Sequence, residues 1–180
     1  MQEFTKEELH RIFSWLPYRQ DWPVDRNQKE DNILSFYGDL INGLTKNDSF
    51  DTYYSEDGGL GNYLEFICYP RGYNEYDGNA ILVCVSLCSP IAGYGQIRFH
   101  KTLQSWSWGM FSPDSTGLIL DKQLMEIEAE INNILKRINL NLLDQEFACR
   151  LLPKTIVESL EGENHNIGNQ YLHGLFQKTG

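Results

Sequence analysis

The sequence predicts an α+β domain: an antiparallel sheet of four or more strands, N-terminal helices, and one long helix packed on the sheet. Three patterns predict it. Between residues 50 and 108, alternating or continuous apolar runs are joined by short turn-forming links. Short links imply antiparallel neighbours, because a parallel pair needs a crossover of about a dozen residues. Helical periodicity precedes these runs, and one long amphipathic stripe follows them.

The elements follow in order. Leu9, Ile12, Phe13 and Leu16 share one stripe of a helix over Thr5–Leu16, with Thr5 and Glu8 as a capping box and Pro17 as the stop. A second helix is expected from about Gln28 to Ile41, its apolar side made of Ile33, Leu34, Tyr37, Leu40 and Ile41. Asn42-Gly43 reads as its C-terminal stop. A strand near Phe50–Tyr54 leads to Asp57-Gly58-Gly59-Leu60-Gly61, which reads as a hairpin turn. From Asn62 to Tyr69, Leu64, Phe66 and Cys68 alternate with Tyr63, Glu65, Ile67 and Tyr69. Ala80–Cys88 is nearly continuous apolar sequence, as in a strand covered on both faces. Tyr94–His100 alternates again, setting Ile97 and Phe99 against Gln96, Arg98 and His100. Leu103–Trp108 forms a further strand with Trp106 and Trp108 on one face. The links at residues 73–79 and 89–93 carry turn chemistry. Leu120, Leu124, Ile127, Ile131, Ile134 and Ile138 then mark a helix starting near Ser115 or Asp121. Residues 139–180 hold shorter apolar pieces around Pro153 and a polar stretch at residues 161–166.

Composition narrows the function. With 180 residues, 41% of them hydrophobic and 13% aromatic, the chain suits one domain with a substantial core. There are 25 acidic residues against 15 basic ones, a net charge of -10. That balance disfavours direct binding to nucleic acid or to anionic membranes and favours a basic protein partner. The longest apolar stretch falls far short of the ~20 residues that span a bilayer. The charged start at residues 1–8 has no signal-like apolar segment, so a cytoplasmic location is expected. Cys84 and Cys88 on one extended strand would stand roughly 13 Å apart, too far for a disulfide. Four cysteines read as small buried hydrophobes in a reducing compartment.

Catalytic patterns are lacking. The glycine-rich loop at residues 57–61 precedes a strand and has no following Gly-Lys-Ser/Thr, so it does not cradle phosphate. Ser105-Trp106-Ser107-Trp108-Gly109 lacks the first glycine of a nucleophile elbow. His10, His100, His165 and His173 show no metal-ligand spacing, and neither a cofactor nor a metal is expected.

The informative region runs from Asn47 to Asp77. It holds seven acids, six of the chain's ten tyrosines and one base, Arg71. Tyrosine combines a large rigid contact area with a hydroxyl, and carboxylates complement a cationic surface. Glu56, Asp57, Glu65, Tyr69, Arg71, Tyr73, Glu75, Tyr76 and Asp77 are therefore the expected partner-binding residues.

In layout the chain resembles immunity proteins of bacterial polymorphic-toxin and contact-dependent inhibition systems. The shared features are a small acidic α+β domain, a strand region rich in tyrosine and acid, and the absence of catalytic motifs. The resemblance transfers no individual residue. It implies a cognate toxin, often a nuclease, bound and blocked without a cofactor. A second reading is an enzyme or small-ligand binder with a pocket near Arg98, His100, Trp106 and Trp108. A third is a homo-oligomer joined through the Leu120–Ile138 stripe.

Overall fold

The computed structural model describes residues 37–54, 63–86, 91–138, 140–151 and 176. The first predicted helix, most of the second, the glycine-rich loop, Cys88 and most of the C-terminal stretch lie outside these residues. So do His165 and His173.

Residues 37–45 are helical (α1). Five strands follow: β1, Phe50–Tyr54; β2, Tyr63–Pro70; β3, Tyr76–Ser86; β4, Ile91–Lys101; and β5, Trp106–Trp108. Short 3-10 turns at Pro113–Ser115 and Lys122–Leu124 lead into α2, Met125–Arg137. A two-residue strand β6, Asn141–Leu142, and a single-turn helix α3, Gln145–Ala148, complete the described chain. The fold is α+β, as the sequence predicts. β1 to β5 pair antiparallel in sequence order, and the short β6 adds a parallel contact to β4 at Ile91 and Ala92.

The alternation of β2 decides which side chains face the helices. Leu64, Phe66 and Cys68 join Ile81, Val83 and Val85 of β3 under α1 and α2. From the helices, Leu40 and Leu44 meet Ile127, Ile131 and Ile134 on that face. The predicted stripe of the long helix thus packs on the sheet, except at its start. Leu120 precedes the 3-10 turn and is 72% exposed.

Several boundaries differ from expectation: β5 starts at Trp106 rather than Leu103, the long helix starts at Met125 rather than near Ser115 or Asp121, and three others have a clear physical reason. Gly43 does not end α1, which runs to residue 45. A Cβ on Gly43 would stand 3.1 Å from Ile134 Cγ2, so this glycine lets α1 approach α2 closely. Residues 76–79 belong to β3 because they pair with residues 98–101 of β4. Residues 91–93 belong to β4 because Ala92 and Gly93 pair with β3, and Ile91 and Ala92 pair with β6.

The other face of the sheet is aromatic and concave. Tyr63, Ile67 and Tyr69 of β2, Ala80, Leu82 and Cys84 of β3, and Ile97 and Phe99 of β4 line it. β1 and β5 occupy opposite edges of the five-strand path. A flat sheet would separate those edges by about 19 Å at ~4.8 Å per strand. Yet the Tyr53 ring of β1 lies 5.0 Å from that of Trp106 and 5.4 Å from that of Trp108. The sheet therefore curls around this face, without β1 and β5 pairing to close it. Glycine makes room inside the curl. A Cβ on Gly95 would stand 2.6 Å from Phe111 Cβ, and one on Gly93 would stand 2.9 Å from Phe176.

Candidate docking surface

Register places three loops at one end of the sheet. Phe50 pairs with Pro70 and Tyr76 with Lys101, so the approach to β1, the β2–β3 link and the β4–β5 link emerge together. Behind them the concave face carries a connected array of rings. Tyr73 meets Tyr76 at 5.3 Å, Tyr76 meets Tyr69 at 5.2 Å, and Tyr69 meets Phe99 at 5.2 Å. Phe99 then contacts Tyr53, which rests on Trp106 and Trp108. Tyr73 and Trp106 are half exposed, at 51% and 50%. Tilted and edge-on ring pairs of this kind contribute about 0.5–1.5 kcal/mol each beyond area burial.

The residues predicted to bind a partner divide into groups. Tyr73 and Glu75 are exposed, and Tyr76 is half-buried beneath Tyr73. Arg71 and Asp77 are exposed but already engaged. Arg71 Nη1 donates to the Asp48 carbonyl at 2.6 Å, and its guanidinium lies near Asp48 and Asp51. Arg98 donates to Asp77 Oδ1 from Nη2 at 2.9 Å, with His100 Nδ1 3.9 Å from the same oxygen. Two others do not face solvent. Glu65 is 4% exposed inside the curl and accepts from Trp108 Nε1 at 2.9 Å. Tyr69 is buried, its hydroxyl accepting from Lys101 Nζ at 2.8 Å. Strand alternation sends both inward, so they support the surface from behind. Glu56 and Asp57 lie outside the described residues.

The pocket suggested by Arg98, His100, Trp106 and Trp108 is divided by the sheet. Trp108 pairs with Phe99 and faces the concave side, whereas His100 and Arg98 alternate to the opposite side. Those four residues line no common cavity.

Buried thiols and phenols of the sheet are held neutral. Burial pushes the Cys68 thiol up to about 12 and Cys84 well above its ordinary value, with Glu65 adding to the latter. Such thiols are poor nucleophiles at neutral pH. Burial likewise raises the Tyr63 phenol, with Glu65 and Cys84 contributing. On the helix side, Tyr94 is pushed up to about 12, mainly by burial. Its hydroxyl donates to Glu128 at 2.8 Å and accepts from Asn132 at 3.1 Å. Among the described residues no group of three or more His, Cys, Asp or Glu is placed to hold a metal ion. Nor is any described helix long and apolar enough to cross a membrane.

Sequence reasoning missed Lys101, Leu103 and the bridging role of Tyr53. Leu103, at the tip of the β4–β5 link, is 79% exposed. Lys101 sits opposite Trp106 in the register and Tyr69 lies under its ammonium, 5.3 Å from nitrogen to ring centre. No linear motif marks these residues, because only the curl of the sheet gathers them. Comparison with protein-family models, curated proteins and solved structures finds no match to this chain.

Proposed function

We propose that the protein is a binding module for a basic protein, of the immunity type that captures and neutralises a toxin, and that it docks through the aromatic end of its sheet. The observation that carries this reading is the continuous ring array from Tyr73 to Trp106, braced from within and half exposed at both ends. Rigid aromatic anchors in a preorganised surface lose little entropy on association, and they dominate measured interface energies.

Charge plays a different part from the one suggested by the linear count. Pairing with β4 brings Arg98 beside Asp77, while Arg71 answers Asp48 and Asp51. The local surface is close to balanced, with Glu75 as an exposed acid that no described base pairs. The net charge of -10 then acts at long range, speeding encounter with a cationic partner, while the rings hold the contact.

The test is affinity capture from the native host, followed by association kinetics of the captured protein with wild type and with Tyr73→Ala. Truncating this exposed aromatic anchor is expected to cost about 2 kcal/mol or more in binding, chiefly through faster dissociation. Unchanged kinetics place the interface elsewhere. Turnover of a small molecule by the isolated protein favours an enzyme instead.

A further inference from the structure

The β4–β5 link is a stiff turn that holds an apolar residue in water. The Thr102 amide donates to the Ser105 carbonyl at 2.7 Å. Thr102 Oγ1 in turn accepts from the amides of Gln104 at 3.2 Å and Ser105 at 3.0 Å. The bonded turn leaves Leu103 79% exposed, three residues before the half-exposed Trp106. An exposed Leu at the tip of a bonded turn and the open half of the Trp that follows it leave apolar surface in water, while the other side of Trp106 rests on Tyr53.

Lys101 gives that contact point a sign. Its ammonium donates to Tyr69 Oη and lies over the Tyr69 ring. Among the described residues, no carboxylate stands within ion-pair distance of it. The nearby acids are committed elsewhere: Asp48 and Asp51 to Arg71, and Asp77 to Arg98. Lys101 is half-buried among rings, so its stem is held while its ammonium keeps donors to spare.

We propose that Lys101, Leu103 and Trp106 form a subsite for a partner segment that carries an apolar side chain next to a carboxylate. The apolar group packs on Leu103 and Trp106, and the carboxylate accepts from Lys101. This rests on the reading of this end of the sheet as the docking surface and adds a reversed polarity at its centre. A basic partner is drawn in by the overall negative charge, then presents one acid to one lysine. Such a local inversion gives specificity, because other cationic proteins reach the surface but leave Lys101 unmatched.

The experiment needs no partner. Isotope-labelled full-length protein is titrated with acetyl-Phe-Glu-amide, acetyl-Phe-Gln-amide and acetyl-Phe-Lys-amide at millimolar concentration, and backbone and indole resonances are followed. The Glu peptide is expected to shift residues 101–106 and the Trp106 indole, binding roughly two- to fivefold tighter than the Gln peptide, as an exposed ion pair allows. The Lys peptide binds weakest. Lys101→Met, with an otherwise unchanged spectrum, abolishes the preference, and Lys101→Arg retains it. Equal binding of the three peptides, shifts located elsewhere, or a preference that survives Lys101→Met overturns the subsite. Those results leave the docking reading to the Tyr73→Ala kinetics. Conversely, a clear Glu preference combined with a captured partner indifferent to Lys101→Met overturns the protein segment as occupant.

Discussion

Replacing Trp108 by Phe isolates the hydrogen bond that ties the edge strand β5 to β2 across the curled sheet. Trp108 is half-buried, 5.4 Å from the Tyr53 ring and 6.4 Å from Phe99, and a phenyl ring keeps most of that contact. What disappears is the indole donor to Glu65 Oε1, 2.9 Å away on a side chain only 4% exposed. Withdrawing one partner from a buried polar acceptor costs about 1–3 kcal/mol. For a chain of this size that lowers the melting temperature by roughly 2–12 °C. Trp106→Phe is the matched control: it meets Tyr53 at 5.0 Å but is half exposed, and its effect is expected within about 0.5 kcal/mol. Chemical denaturation of the wild type, Trp108→Phe, Glu65→Met and the double variant closes the cycle, since methionine removes the acceptor oxygen. A coupling energy above about 0.5 kcal/mol is expected for residues in direct contact. An unchanged midpoint for Trp108→Phe, or additive single effects, refutes the claim that this bond bridges the sheet.

Other expectations concern the same scaffold. Gly95→Ala sets a new Cβ 2.6 Å from Phe111 Cβ, which cannot swing aside, and a loss of about 1–3 kcal/mol is expected by denaturant titration. Stability is expected to fall as pH rises between about 9 and 12. Folded Cys68 and Tyr94 both titrate near 12 and their unfolded forms at 9.0 and 10.0, so the folded state keeps protons that the unfolded state releases. Melting temperature followed from pH 8 upward checks this, and a flat profile contradicts it. Brief alkylation of native protein, mapped by mass spectrometry, is expected to leave Cys68 and Cys84 unmodified until denaturant is added. Glu75→Lys is expected to slow association with a captured partner, most strongly at low salt, without shifting the melting temperature.

Strand alternation made the sheet legible. Period-two patterning at Leu64, Phe66 and Cys68 names the face under the helices, and the stripe Leu124, Ile127, Ile131 and Ile134 names what covers it. Local turn signals were less reliable where tertiary contacts overrode them. Gly43 looks like a helix stop, yet it stays helical because Ile134 needs the space. Residues 91–93 look like a turn, yet they extend β4 because β3 and β6 both pair there. The candidate surface was half legible. The fold leaves Tyr73 and Glu75 exposed and Tyr76 partly so, but the tyrosine and acid count treated the chain as a line. It could not show that Arg98 neutralises Asp77 across a strand pair, nor that Glu65 turns inward to Trp108 from 43 positions away. Lys101 gains meaning only from the rings folded around it.

The central claim is that the aromatic end of the sheet is where a partner docks. The most direct measurement compares the dissociation rate of the captured partner from wild type, from Tyr73→Ala with Trp106→Ala, and from Glu126→Lys on the exposed side of α2. The account predicts that the aromatic double variant, folded as judged by its melting curve, releases the partner at least tenfold faster, about 1.4 kcal/mol or more. It predicts that Glu126→Lys alters chiefly the association rate. Wild-type dissociation from the double variant, with loss of binding in Glu126→Lys, would move the interface to the helical face and contradict the account.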